Sequence, residues 1–256
     1  MLFRWLNGFI IGSALVASTS PWFVRSYVPR VEDRNRKAVV LQPNSNYRWR
    51  SEGYATTRIG PLGMPGQLSV YPEKNGRLRI ALWGDSQAEG VCVKDDQKIA
   101  ALTTAFLDSP CVVLPFARSG DDCNDWISQI AAIEQSSETW LSIDAHVFLV
   151  VEWSDWCVDV SLDHDSIDPS FNQLSRTLPA FLIQVARNAL TTDQTNRMRK
   201  LRFRPGPVSK TDKHHRVDTS VGLSQQKDRL ERQLRRLRRQ TDVPCIFLYA
   251  PLTPAI

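Results

Sequence analysis

One serine sits where a chain could make a nucleophile of it. In the stretch LRIALWGDSQAEGV, residues 78–91, an apolar run closes on Gly84-Asp85-Ser86 and opens into polar, helix-compatible sequence. Glycine permits a tight exit from a strand. Ser86 then lands near the start of the next helix, where the helix dipole and free backbone N–H groups favour negative charge. Two readings are open at this point. A buried strand delivers a reactive serine at its tip, or Asp85 and Ser86 merely cap a plain strand-to-helix turn.

Two further polar turns follow apolar runs. FARSGDDCND places Ser119 and Gly120 after the run 111–117, and VEWSDW places Ser154 and Asp155 after the run 145–153. In a doubly wound sheet, ligands bind beyond the carboxyl ends of the strands. Three such turns at successive strand ends carry more weight than one tripeptide.

The elements that must position these turns are legible as periodicity. LRIALWG (78–84), CVVLPFA (111–117), AHVFLVVEW (145–153) and VPCIFLYAP (243–251) read as strands, apolar almost throughout. DQKIAALTTAFLD (96–108) and DDCNDWISQIAAIEQ (121–135) read as helices, the second opening on capping-type residues. LSRTLPAFLIQVARNAL (174–190) reads as a helix that restarts or kinks at Pro179. Residues 223–240 read as a helix with Leu230, Leu234 and Leu237 on one face, and 191–219 as a polar, basic connector. Apolar strands alternating with helices predict an α/β fold, a three-layer doubly wound and mainly parallel sheet. Residues 21 to about 75, rich in Pro, Gly, Arg and Tyr, read as a turn-dense extension with little sustained periodicity.

The three turns resemble the motifs of the SGNH hydrolases, the GDSL-type esterases and lipases. Gly84, Asp85, Ser86 and Gly90 match the family's first motif, and Gly120 its second. The third, Gly-x-Asn-Asp, falls on Glu152, Trp153, Ser154 and Asp155, with serine in place of the oxyanion asparagine. TTRIGPLGMPG resembles a segment preceding the first motif in exported, acyltransferase-like members. The resemblance spans roughly residues 76–256 and implies a flavodoxin-like SGNH fold. It also implies that Ser86 attacks an ester carbonyl and forms an acyl-enzyme, with the N–H groups of Ser86 and Gly120 and the side chain of Ser154 around the oxyanion.

The family takes its base from Asp-x-x-His after its last strands. DKHH offers Asp212 and His215 at that spacing, but ahead of the strand CIFLYAP, in a basic and polar connector where His214 also lies. His146 opens the third strand, at the end opposite Ser86 in a parallel sheet. His164, in SLDHDS, reads as a solvated loop residue. The expectation is therefore a domain incomplete at its C-terminus or a degenerate member, and hydrolysis that is weak or lacking. The expected function is that of a serine esterase or carbohydrate O-acyltransferase/deacetylase at the cell envelope, its substrate an acyl ester or acylated carbohydrate. The alternative is an inactive SGNH-like domain that binds glycans or partners. Serine esterase chemistry requires no cofactor, and no metal is expected.

Composition bounds the rest. The 256 residues, 42% hydrophobic and 23% charged, suit a globular chain. The net charge of +5 comes largely from RMRKLRFR and RLERQLRRLRR between Arg197 and Arg239. Aromatic residues do not interleave with these arginines, so a solvated helix face is favoured over a nucleic-acid platform. The five cysteines have neither Cys-x-x-Cys nor zinc-ligand spacing; the apolar neighbours of Cys111 and Cys245 point to buried thiols. MLFRWLNGFIIGSALVASTS, residues 1–20, has one early arginine, an apolar stretch from Trp5 to Ala17, and then small residues. It reads as a signal peptide or membrane anchor, hence an exported or membrane-anchored protein, with a buried N-terminal helix as the other reading.

Overall fold

The structure is a computed structural model, and it describes residues 2–23, 30–33, 38–49, 53–66, 76–107, 111–136, 142–156 and 223–250. At its centre lies a four-stranded sheet of β5 (Leu78–Gly84), β6 (Cys111–Pro115), β7 (Ala145–Val150) and β8 (Cys245–Tyr249), ordered β6-β5-β7-β8. Every pairing is parallel. The chain leaves β5 for β6 on one side and crosses to β7 on the other, so the order reverses between β5 and β7, where an open α/β sheet forms its crevice.

Both faces carry helices. On one side α4 (Cys123–Glu134) and α5 (Leu223–Gln240) cover Ala81, Trp83, Val112, Leu114, Phe148 and Val150 with Trp126, Ile127, Ile130, Ile133 and Leu237. Trp83 stacks on Phe116 at 4.8 Å, and Phe148 on Phe247 at 5.0 Å. Trp156 meets the edges of Phe148 and Phe247 at 5.4 and 5.1 Å. On the other face Ala100 of α3 (Ile99–Phe106) packs on Leu82 and Val113. The apolar runs of β5, β6 and β7 follow from this double cover, whereas Ile246, Phe247, Leu248 and Tyr249 of β8 are exposed.

Several elements differ from the sequence expectation. The helix expected over 96–108 is a 3-10 turn, Asp95–Gln97, followed by α3, because Lys98 adopts an extended conformation between them. On α5 the buried stripe is Leu230, Gln233 and Leu237, while Leu234 is exposed. Gln233 turns inward because Asn124 on α4 accepts from its amide at 3.3 Å. The arginines of α5 are solvated for the most part, as expected of a charge run. Cys111 is a buried thiol but Cys245 is only half-buried, and the four described cysteines are free.

The extension before the sheet is structured. β1 (Arg30–Asp33) pairs antiparallel with β2 (Ala38–Leu41), and β3 (Asn46–Trp49) with β4 (Ala55–Arg58). Leu41, Tyr47, Trp49 and Ile59 gather around Val91 into a small second core. These hairpins lie against α2 (Ser86–Glu89), the segment following it and the loop after β6, so residues 30–66 form a layer beside two of the strand-end turns. Ahead of it, α1 (Leu2–Phe23) exposes Phe3, Trp5, Phe9, Ile10, Ile11 and Leu15, which removes the reading of a buried N-terminal helix. Among the described residues, no helix is long and apolar enough to cross a membrane. The helix expected at 174–190 and the connector at 191–219 lie outside the described residues.

Candidate functional site

β5 ends at Gly84, whose φ of +152° no ordinary side chain adopts readily. The turn folds α2 back against the end of β5, with Leu149 of β7 on the other side of Gly84. A Cβ at Gly84 would stand 2.8 Å from the Leu149 carbonyl oxygen and closer still to Ala88 Cβ. Asp85 is the N-cap of α2; its carboxylate accepts from the Gln87 N–H at 2.8 Å. The capping role therefore belongs to Asp85, and Ser86, half-buried at the first helical position, is left out of it. Among the described residues neither the Ser86 hydroxyl nor its N–H has a hydrogen-bond partner.

The helix is short and held at its far end. Gly90 caps it in the left-handed region, and Lys98 Nζ donates to the carbonyls of Glu89 and Gly90 at 3.0 and 2.6 Å. Lys98 is buried, and burial pushes its ammonium below the ordinary lysine range, against the pull of Glu89 and Asp95. Glu89 is buried too, accepting from the Tyr47 hydroxyl and from the Ser119 N–H at 2.5 Å. Burial raises its pKa, and these two donors and Lys98 oppose the rise.

The loop after β6 runs on along β5 toward its tip. Phe116 and Ala117 N–H both reach the Leu82 carbonyl at 2.9 Å, and Arg118 N–H reaches the Gly84 carbonyl at 3.3 Å. Gly120 follows, exposed, at φ +85°. Its N–H has no acceptor among the described residues. Asp122 then starts α4 with a capping box, accepting from Asn124 N–H at 2.8 Å while its own N–H reaches Asp125 at 3.0 Å.

The loop after β7 forms a 3-10 turn, Trp153–Trp156, so Ser154 lies at the same end of the sheet as Ser86 and Gly120; its side chain is outside the described set. The neighbour of Ser154, Asp155, is the group whose chemistry the sequence did not reveal. Burial, with repulsion from Asp85, Glu152 and Asp122, raises it to about 7. Three strand-end loops thus bring four carboxylates into one electrostatic neighbourhood, and Asp85 is raised by burial as well. Among the described residues, no group of three or more His, Cys, Asp or Glu side chains is arranged to hold a metal.

The raised Asp155 makes stability pH-dependent in a definite direction. Its folded pKa lies above the unfolded value of 3.8, so the unfolded chain releases this proton first as pH rises. This group's contribution then falls between about pH 4 and pH 7. Asp155→Asn should melt about 2–4 °C above the parent at pH 8, the shift of about 1 kcal/mol in a chain of this length. At pH 4 the two should coincide. Equal differences at the two pH values in thermal melts would show that ionisation of the buried Asp155 carboxyl is not the cause.

His146 is not a partner for Ser86. The register pairs it with Ala81 and sets Gly84 opposite Leu149, at the far end of the strand. It is fully buried, accepts at Nδ1 from Trp83 Nε1 at 3.0 Å, and stands 3.8 Å from Glu134, too long for a hydrogen bond. Burial lowers its pKa to about 4, so it is neutral and structural at neutral pH. His164, Asp212, His214 and His215 lie outside the described residues.

Comparison with family models, with curated proteins and with solved structures found no match for this chain. The site is therefore read from its own geometry: a hydroxyl and two N–H groups at strand-end turns that have no partner among the described residues, and a carboxyl that titrates near neutrality. Glu89, Lys98 and Tyr47 were missed in sequence because their polar types signal surface. The signal that could have found Asp155 is its place among Asp85, Asp122 and Glu152 in three separate turns.

Proposed function

We propose that this chain is an SGNH-like serine esterase or carbohydrate O-acyltransferase/deacetylase acting on acyl esters at the cell envelope. The observation that carries the reading is the division of labour at the β5 tip. Asp85 caps α2, so the Ser86 hydroxyl remains uncommitted at the turn where a parallel sheet reverses its order. The exposed apolar face of α1 supports contact with a membrane or an export route.

In this reading Ser86 Oγ attacks the ester carbonyl carbon. The carbonyl π electrons move onto oxygen, where the Ser86 and Gly120 N–H groups donate, and Ser154 is the third donor. Collapse expels the alcohol and leaves an acyl-enzyme, which water or an acceptor hydroxyl then opens. The hydroxyl proton requires an acceptor. In this reading Asp155, which among the described residues titrates nearest neutrality on this side of the sheet, takes the proton and returns it to the departing alkoxide. Among those residues no hydrogen bond to Ser86 aligns it as a triad imidazole is aligned. Turnover is accordingly slow.

The test is hydrolysis of p-nitrophenyl acetate and of O-acetylated polysaccharide by purified parent and Ser86→Ala proteins. Slow release that falls at least about tenfold in Ser86→Ala is the expected result. Equal release by the two proteins overturns the assignment of Ser86. Should neither turn over while both bind the acetylated polysaccharide, the chain is a binding domain built on the same turns.

A further inference from the structure

Arg30 ties the N-terminal layer directly to the carbonyl of the candidate oxyanion loop. Arg30, on β1, donates from Nη2 to the Ser119 carbonyl oxygen at 3.0 Å, across 89 residues of sequence. The same nitrogen stands 3.2 Å from Asp121 Oδ1 as an ion-pair contact. Asp121 is buried and also binds Arg118 Nε at 2.7 Å, while Arg118 Nη1 donates to the Val39 carbonyl on β2. From the opposite side Glu89, itself held by Tyr47 of β3, accepts the Ser119 N–H. Both peptide units of Ser119 are thus fixed by side chains of other elements.

One of those units is the Ser119–Gly120 peptide. No cis peptide occurs among the described residues, and in a trans peptide C=O and N–H point in opposite directions. A carbonyl held toward Arg30 therefore turns the Gly120 N–H away from Arg30. Gly120 at φ +85° accommodates that orientation at no steric cost.

We infer that Arg30 is a positioning residue, and that the β1–β2 hairpin sets the direction of the Gly120 N–H through the Ser119 carbonyl. This rests on the reading of Gly120 as an oxyanion donor. Its consequence is that the layer before residue 66 is part of the site. With Arg30 removed, the Ser119–Gly120 peptide is free to flip, and a flipped unit presents a carbonyl where a donor is needed. Ground-state ester binding requires little of this N–H, whereas the tetrahedral intermediate depends on it.

The experiment uses the full chain with Arg30→Ala and Arg30→Lys, read in two ways. In ¹⁵N-resolved NMR the Gly120 amide signal should move or split in Arg30→Ala, with those of Trp126 and Ile130 unchanged. This arm holds whether or not the protein turns over esters. In ester hydrolysis kcat should fall about 10- to 100-fold with KM within about twofold, and added guanidinium should restore part of the loss. Arg30→Lys keeps a charge for Asp121 but not the planar fork, and should fall between the two. It also serves if Arg30→Ala does not fold. An unmoved Gly120 signal in the folded variants overturns the inference. A moved signal beside Ser86-independent hydrolysis keeps the clamp and discards the esterase reading.

Discussion

Gly84→Ala should destabilise this protein by about 2–6 kcal/mol and displace Ser86 in whatever remains folded. The estimate adds about 1–3 kcal/mol for a side chain held at an unfavourable φ to about 1–3 kcal/mol for overpacking. Both apply here, since the residue sits at φ +152° and the new Cβ would press on the Leu149 carbonyl and on Ala88. Neither obstacle yields cheaply, because one is backbone of the central strand β7 and the other lies on the short helix that Lys98 pins. Gly76→Ala is the control. It too has positive φ, +72°, but open space around the added methyl, so only about 1 kcal/mol of backbone strain is expected. Urea unfolding of both variants decides the matter. Equal midpoints would mean that α2 moves aside freely and that the tip of β5 is not a tightly built turn.

Asp121→Ala should cost about 3–5 kcal/mol, the penalty for leaving a buried charge without its partner. Asp121 is fully buried beside Arg118, itself only 5% exposed, and Gln129 donates to the same carboxylate at 3.4 Å. Burial raises the Asp121 carboxyl, and the two arginines oppose the rise. The diagnostic is a double variant. Adding Arg118→Met to Asp121→Ala removes the orphaned charge and should recover a substantial part of the lost stability, which an unrelated packing defect would not. Additive losses in urea titrations would argue that Arg118 finds water in the single variant.

How much could be read beforehand followed from what local patterns encode. β5, β7 and β8 and the helices α4 and α5 were legible because continuous apolar runs and 3.6-residue spacing report burial directly. The parallel direction then placed His146 at the wrong end of the sheet for Ser86, and the register agrees. The hairpins β1–β4 were not legible. Each strand has four residues, and ATTR and RVED carry too little apolar character to show a period. The site divided along the same line. Gly84, Ser86 and Gly120 stand at turns whose chemistry is local. Arg30 and Tyr47 act through partners that no window of sequence contains, and Lys98 acts through a buried polar tip that its residue type does not announce. Asp155 was visible as a polar strand end, but its altered acidity arises from carboxylates on the other strand-end turns.

The long spans of the clamp also impose a schedule. Arg30 meets the Ser119 carbonyl across 89 positions, Arg118 meets Val39 across 79, and Tyr47 meets Glu89 across 42. At synthesis rates of about 5–20 residues per second, Arg30 waits roughly 4–18 s for Ser119 to be made. Until Glu89 has been made, the first hairpins have no α2 turn to lie against. Loop closures of this reach are slow in refolding too, since their entropy is spent before the contacts form. Dilution from denaturant should therefore bring back the pairing of β5 with β6 and β7 before the Gly120 loop. β8 joins β7 across a still longer span, from His146 to Cys245, and should return no earlier than that loop. Recovery of any Ser86 chemistry should trail recovery of far-ultraviolet circular dichroism, and the lag should shorten when residues 30–66 are already docked.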